Sequence, residues 1–156
     1  MNPLKCAFGV SSGKFLGFIV KHRGIEVDQS KIKTIQEMPE PTNLKELRSL
    51  QGKLVFIRRF ISNLACRCQH FSRLMKKNVP FVWDEACHNA FESIKKYLAN
   101  ALVLGAPIPG KPLTFYIAAQ ERSLGALLAQ ENEERREMTL YYLSRTLIGP
   151  QIMQRL

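Results

Sequence analysis

The sequence predicts an α+β fold in which an N-terminal β-hairpin and a basic helical region precede a sheet of about three antiparallel strands. Three observations carry this. Leu44, Leu47, Leu50, Leu54, Ile57, Ile61 and Leu64 recur at three- and four-residue steps, the spacing of one helix face. From Leu113 onward apolar residues alternate with their neighbours, the period of a strand. Pro107, Pro109 and Pro112 stand between the two regimes, so the architecture changes near residue 105.

The elements follow in order. Phe15 to Val20 reads as a short strand, closed by a polar turn from Lys21 to Gly24 and resumed at Ile25 and Val27 to complete a hairpin. Asp28 or Ser30 caps a helix carrying Ile32, Ile35 and Met38, which Pro39 and Pro41 bring to an end. Asn43 with Glu46 three residues later forms a capping box, opening one long or broken amphipathic helix that runs to Leu64. Asp84 caps a further helix whose Ala90, Phe91, Ile94 and Leu98 share a stripe while Lys95 and Lys96 stay in water. Leu113, Phe115 and Ile117, then Leu124, Ala126 and Leu128, mark two strands. The charged stretch from Glu131 to Glu137 is a solvated hairpin loop, and Met138 to Arg145 is a third strand with adjacent Tyr141 and Tyr142. Such a sheet with no helix after it leaves one face bare, which is the expectation for a truncated domain.

With 156 residues, 46% of them apolar, the chain can bury a core and is not compositionally disordered. Its 23 Lys and Arg against 13 Asp and Glu give a net charge of +10, which points to a polyanion, either nucleic acid or an anionic membrane surface. No apolar run approaches the roughly 20 residues of a membrane span, so no transmembrane helix and no membrane partner is expected. The opening residues lack the apolar stretch of a signal peptide. The four cysteines are therefore expected to stay reduced in an intracellular setting, cytoplasmic or nuclear. The charge is unevenly spread: residues 1–100 hold 17 basic and 8 acidic side chains, residues 101–156 hold 6 and 5. Within 41–77, Lys45, Arg48, Lys53, Arg58, Arg59, Arg67, Arg73, Lys76 and Lys77 face only Glu46, a net +8. A run of this kind is either a solvated helix face or a set of phosphate contacts.

Local motifs for chemistry are weak. Gly9, Ser11 and Gly13 match the G-x-S-x-G pattern, but a nucleophile elbow needs a strand before it and a helix after it, and here a strand follows. Cys66, Cys68 and His70 lack a second ligand pair at zinc spacing. His22 and His88 have no partner in the sequence pattern. No P-loop, dinucleotide fingerprint or H-E-x-x-H occurs, which leaves nucleotide hydrolysis and metalloprotease chemistry without a foothold.

The ordered set of local features is more specific than any one of them. Lys5-Cys6-Ala7-Phe8, Phe15-Leu16-Gly17-Phe18, Gly24-Ile25, Lys31, Pro39-Glu40-Pro41, Leu47-Arg48-Ser49-Leu50-Gln51-Gly52, Arg58-Arg59-Phe60-Ile61, Leu74-Met75-Lys76-Lys77, Phe81-Val82-Trp83, Ala90-Phe91 and Gly125-Ala126-Leu127-Leu128 together resemble the Pol polyprotein of gypsy-type LTR retrotransposons, up to about residue 146. The resemblance begins after the polymerase palm, because the Tyr-x-Asp-Asp carboxylates of that family have no counterpart. It implies two domains: residues 1–105 as the C-terminal part of a reverse transcriptase, with primer-grip-like hairpin, thumb and connection helices, and residues 106–156 as a truncated RNase H-like domain. It also implies that Phe15, Leu16, Gly17 and Phe18 grip a primer terminus, and that the basic residues from Lys45 to Lys77 hold a template-primer or RNA-DNA duplex by its backbone. The missing palm and fingers would be a protein partner.

The RNase H-like part departs from the family pattern at a decisive position. The family places an aspartate seven residues before the glycine of its Gly-Ala-Val-Leu-like strand, and here that position is Ala118. The parent family uses Mg2+, held by several carboxylates, and alanine offers no oxygen. The expectation is a chain that binds nucleic acid nonspecifically, binds no metal by itself and catalyses nothing alone. The alternatives are a pseudogene-like product with no binding role and a residual RNase H.

Overall fold

The computed structural model describes residues 8–147; Lys5, Cys6 and Ala7 of the first motif and the residues after Leu147 lie outside it. Three short strands open the chain, β1 (Ser12–Phe15), β2 (Phe18–Lys21) and β3 (Gly24–Val27), followed by helices α1 (Gln29–Gln36) and α2 (Leu44–Phe56). A 3-10 turn at Arg58–Phe60 leads to the short helices α3 (Leu64–Arg67) and α4 (Gln69–Leu74), then to α5 (Glu85–Leu98). Four strands close the described chain: β4 (Val103–Gly105), β5 (Thr114–Ala119), β6 (Ser123–Glu131) and β7 (Glu137–Thr146). The architecture is mixed α and β with two antiparallel sheets, β1-β2-β3-β4 and β5-β6-β7.

The helices start where the sequence places their caps. Asp28 accepts from the Ser30 amide, and Asp84 accepts from the Cys87 amide at 2.9 Å. Asn43 accepts from the Glu46 amide at 3.0 Å, while the Glu46 carboxylate reaches back to the Thr42 amide at 2.7 Å, one residue earlier than a standard capping box. The Thr42 amide and hydroxyl hold the half-buried Glu46 carboxyl below its ordinary range.

Of the two forms the sequence allows between α2 and α4, one long helix or a broken one, the structure has the broken one. It unwinds at Ile57, where a single 3-10 turn forms, and restarts after Asn63, which sits at φ +51. The break lets Phe60, Ile61 and Leu64 turn into the same core as Leu47, Leu50 and Leu54. Leu47, Leu50 and Leu54 are fully buried, each contributing about 1.5–3 kcal/mol of transfer free energy. Phe71, Trp83 and Phe91 close the other end of this core, Trp83 stacked on Phe71 at 5.3 Å and edge-on to Phe91 at 6.0 Å.

Two features of the N-terminal sheet differ from expectation. The segment Phe15 to Val20 is not one strand: it folds back on itself between Phe15 and Phe18, with Leu16 at φ +50 and Gly17 at φ +82, a two-residue turn with both central residues left-handed. The hairpin also gains a fourth strand from far along the chain, because β4 returns after α5 to pair with β3, Gly24 opposite Gly105 and Ile25 opposite Leu104.

The second sheet has two unequal faces. Ser144 on β7 accepts from the Ala65 amide at 2.8 Å, Gly125 on β6 lies against Asn63, and Tyr142 packs on the helical core, so this face is seated on α3 and the turn before it. Gln130, only 1% exposed, ties the proline-rich connection to the sheet by accepting from the Ile108 amide and donating to the Ile108 and Lys111 carbonyls. The opposite face carries Phe115, Ile117 and Leu143, all exposed. The bare face anticipated for a three-stranded sheet is therefore present among the described residues. In hydrogen exchange of the dilute chain, amides of β5 should exchange well before those of α2, because local opening of a half-covered sheet exposes less core. Equal protection of the two segments would contradict this.

Candidate nucleic-acid interface

The exposed side of α2 carries the first part of the site. Lys45, Arg48, Ser49, Gly52, Val55 and Phe56 project away from the buried leucines at three- and four-residue steps, cationic at the N-terminal end and apolar at the C-terminal end. Val55 and Phe56 are 51% and 41% exposed, unusual for such residues. Their position is explained by the hairpin. The Phe18 ring stacks on Phe56 at 4.9 Å and on Phe60 at 5.6 Å, and the Arg59 guanidinium lies over Phe18 at 5.5 Å. A Cβ on Gly17 would come within 2.9 Å of the Phe56 ring, so the close approach of the turn to α2 needs a glycine there as well as its left-handed backbone. Phe15 and Leu16 at the tip are 65% and 73% exposed.

Hairpin tip, α2 and the 3-10 turn thus meet in one place. Next to them α1 and α2 enclose an open cleft of about 390 Å³, edged by Lys31, Thr34, Ser49 and Lys53 over an apolar floor of Ile35 and Phe56. The Lys53 ammonium donates to the Ser49 hydroxyl at 2.9 Å. Among the described residues no acidic side chain lines this cleft. Arg58 and Arg59 are exposed, and among the described residues neither forms an ion pair.

The nine basic residues of 41–77 do not act as one patch. Arg67 donates to the Ser62 carbonyl at 3.0 Å and covers the Tyr97 ring at 4.6 Å, which makes it a structural tie between α3 and α5. Arg73 is paired with Asp84. Hydrogen bonds from Cys87, together with that guanidinium, draw the Asp84 carboxyl down to about 2. Lys76 and Lys77 are exposed just past α4, before Asn78 at φ +63, with no ion-pair partner among the described residues. Lys45, Arg48, Lys53, Arg58 and Arg59 are the members on or next to α2. Lys31, Gly52 and Phe56 join them although the charge count of 41–77 overlooked them. An aromatic residue out of phase with a leucine stripe, beside arginines, was the available signal.

Ala118 lies on β5, exposed and paired with Gly125. Glu121 stands beyond the end of that strand, in the turn to β6. Among the described residues no group of three or more His, Cys, Asp or Glu side chains is placed to hold a metal ion. The donor set does not fit a divalent ion, since β5 offers only Thr114, Phe115, Tyr116, Ile117, Ala118 and Ala119. Cys66, Cys68 and Cys87 are free thiols at separate positions, and burial pushes the Cys68 thiol up to about 12.

Residues 83–153 match the model of the RNase H-like domain found in reverse transcriptase, a span that takes in α5 and β4 as well as the three-stranded sheet. The chain is 34% identical over 145 residues to the retrovirus-related Pol polyprotein from transposon 412 of Drosophila melanogaster, covering 93% of this chain and 12% of that protein. It is 28% identical over 152 residues to the transposon Tf2-3 polyprotein of Schizosaccharomyces pombe, covering 97% of this chain and 11% of that one. The chain thus spans about an eighth of the length of these relatives. Its fold matches the foamy viral protease-reverse transcriptase solved with dsDNA, with a TM-score of 0.73 at 21% identity over 92% of this chain and 30% of that one. The match to the same viral protein solved with an RNA/DNA hybrid has a TM-score of 0.72 at 22% identity, over 91% and 19%. Over residues 83–153 the chain is thus similar to the RNase H-like domain found in reverse transcriptase, and the relatives it matches are retrotransposon Pol polyproteins.

Proposed function

We propose that this chain is a nucleic-acid-binding piece of a retrotransposon reverse transcriptase that holds duplex backbone, RNA-DNA hybrid or template-primer, without chemistry of its own. The observation that carries the reading is the junction of the hairpin tip with α2, where Phe18 stacks on Phe56 beside Arg58 and Arg59, which form no ion pair among the described residues. Phosphate contacts of this kind fix position and carry no sequence information. In the division we propose, residues 1–105 are the reverse transcriptase part, with Phe15 to Phe18 as the primer-gripping turn and Lys45 to Lys77 as the thumb. Residues 106–156 are the RNase H-like part. The palm and fingers of the same polyprotein are the protein partner, and the setting is cytoplasmic or nuclear. The solved relatives in complex with dsDNA and with RNA/DNA hybrid support the choice of ligand by analogy of fold. A product with no binding role accounts less well for an acid-free cationic cleft beside exposed aromatics.

Binding is tested by anisotropy of labelled duplex DNA and RNA-DNA hybrid across a salt series. Affinity should fall linearly in log-log form by about 0.9 for each phosphate neutralised on duplex DNA, with little difference between sequences. Salt-independent binding, or none at low salt, would refute the reading.

Hydrolysis is a separate question with a separate expected result. The chain should leave the RNA strand of a hybrid intact in Mg2+ or Mn2+, and Ala118→Asp should not restore cleavage, because two ions roughly 4 Å apart need oxygens from several elements. Hybrid-specific turnover by the unmodified chain, abolished by EDTA and surviving removal of host ribonucleases, would show that Glu121 or the Glu131–Glu137 loop supplies ligands.

A further inference from the structure

Arg58 and Arg59 stand on the 3-10 turn that follows α2, so the backbone on either side of that turn sets where their guanidinium groups point. On the near side the turn continues the helix, the Phe60 amide donating to the Ile57 carbonyl at 3.0 Å and the Ile61 amide to the Arg58 carbonyl at 3.2 Å. On the far side the helical pattern stops. Ile61 is extended, at φ −112 and ψ +119, and Asn63 is left-handed, which leaves Ser62 between them outside any helix ladder. Its amide and carbonyl need partners from other elements.

Tyr97 on α5 supplies one of these partners and Arg67 on α3 the other. The Ser62 amide donates to the Tyr97 hydroxyl oxygen at 3.2 Å, and the hydroxyl proton is directed at the Phe60 carbonyl in a longer contact of 3.4 Å. Arg67 Nε donates to the Ser62 carbonyl at 3.0 Å while its guanidinium lies over the Tyr97 ring at 4.6 Å. One phenol thus touches both ends of the segment 60–62, and one guanidinium holds the phenol in place. The base is stiff, because α5 is anchored in the core by Phe91, Ile94 and Leu98. From the hairpin side the same turn is held by Phe18, which stacks on Phe60 and lies beneath Arg59.

We propose that Tyr97 is a positioning residue for the duplex grip: its hydroxyl fixes the backbone that follows the turn and so aims Arg58 and Arg59 at the phosphates of a bound duplex. This role rests on the duplex-binding reading above. Without the hydroxyl the Ser62 amide loses its partner, the turn is held from the hairpin side alone, and ordering the two arginines is left to be done at the moment of binding. Helix α5 lies within residues 83–153, so the span similar to the RNase H-like domain sets the geometry of a grip formed by residues that precede it.

The test is Tyr97→Phe, which keeps the ring and the Arg67 stack and removes only the hydroxyl. Net charge is unchanged, so lost affinity cannot come from the charge count. In anisotropy titrations well below the melting temperature, duplex affinity should fall about threefold or more, with a log-log salt slope shallower by up to about 0.9. In a chain already carrying Arg58→Glu and Arg59→Glu, measured at low salt, the same substitution should change affinity by less than about 1.5-fold, because nothing is left to aim. Tyr142→Phe, which takes the hydroxyl from another tyrosine packed on the core, should bind as the parent does. A second measurement uses the free chain: in proton-nitrogen NMR the Arg59 Nε signal, displaced by the Phe18 ring, should move toward that of an unstacked arginine, and the Ser62 amide should exchange faster, in Tyr97→Phe and not in Tyr142→Phe. Equal duplex binding by parent and Tyr97→Phe, or an unmoved Arg59 signal, overturns the role of Tyr97 and leaves the duplex-binding reading standing. A loss that persists in full beside Arg58→Glu and Arg59→Glu also overturns it, since the hydroxyl then acts through the fold as a whole. A parent that binds no duplex refutes the reading beneath it, and the role with it.

Discussion

Arg58→Glu combined with Arg59→Glu should weaken duplex binding by at least about tenfold at moderate salt and flatten the log-log salt dependence by nearly two units. Each arginine that leaves a phosphate removes about 0.9 from that slope. A charge-assisted hydrogen bond is worth about 1.5 kcal/mol or more, so losing two exceeds one decade of affinity even after solvent screening. The substitution is clean because both side chains are exposed and neither is paired with an acid among the described residues. Within the protein it removes the Arg59 guanidinium from the Phe18 ring, an attraction of about 0.5–1 kcal/mol at an exposed site. A control should carry the same change of charge elsewhere. Arg135→Glu with Arg136→Glu does so in the exposed β6-β7 loop and should stay within about threefold of the parent. If both variants lose affinity equally, net charge and not the junction of hairpin and α2 governs binding. If neither loses it, the site lies elsewhere.

What could be read from the sequence follows from how local each signal is. Asp28, Asn43 and Asp84 announced three helix starts because a cap is settled within four residues. The strands β5, β6 and β7 were legible from alternation, and their bare outer face from the number of strands. The turn at Leu16–Gly17 was hidden because leucine rarely takes a left-handed backbone and an apolar run reads as continuous strand. The return of β4 to β3 was hidden for a different reason: three residues, Val103 to Gly105, carry no register signal, and the partner lies about 80 positions earlier. The site was legible in its charge and not in its shape. Counting Lys45 to Lys77 finds a basic stretch, yet it cannot separate Arg58 and Arg59, which face water, from Arg67 and Arg73, which tie the fold together. Lys31 escaped because it belongs to α1 and enters the cleft only when α1 lies beside α2.

Gly24→Ala should cost at least about 3 kcal/mol and lower the melting temperature by roughly 10 °C, the largest stability effect expected of a single methyl group in this chain. Gly24 is buried at φ +148, a backbone conformation that side chains resist, and strain of this kind alone costs about 1–3 kcal/mol. The added Cβ would fall on the carbonyl oxygen of Leu104, with the Gly105 Cα only 3.2 Å away. Backbone cannot rotate aside as a side chain can. Strand β4 would have to move, and Leu102 and Leu104, 6% and 3% exposed, would be drawn out of the core with it. The pairing of Gly24 with Gly105 and the bond from the Val27 amide to the Leu102 carbonyl would break together. Because β3 also carries β2 and the hairpin tip, duplex binding should fall in parallel as the tip loses its seat on Phe56. Gly52→Ala is the counterpart: Gly52 lies inside α2 with open space where a Cβ would go, so that change should stabilise by about 0.5–1 kcal/mol. Differential scanning calorimetry of the two variants decides the matter. A Gly24→Ala protein that melts with the parent would mean that β4 does not close the N-terminal sheet against β3.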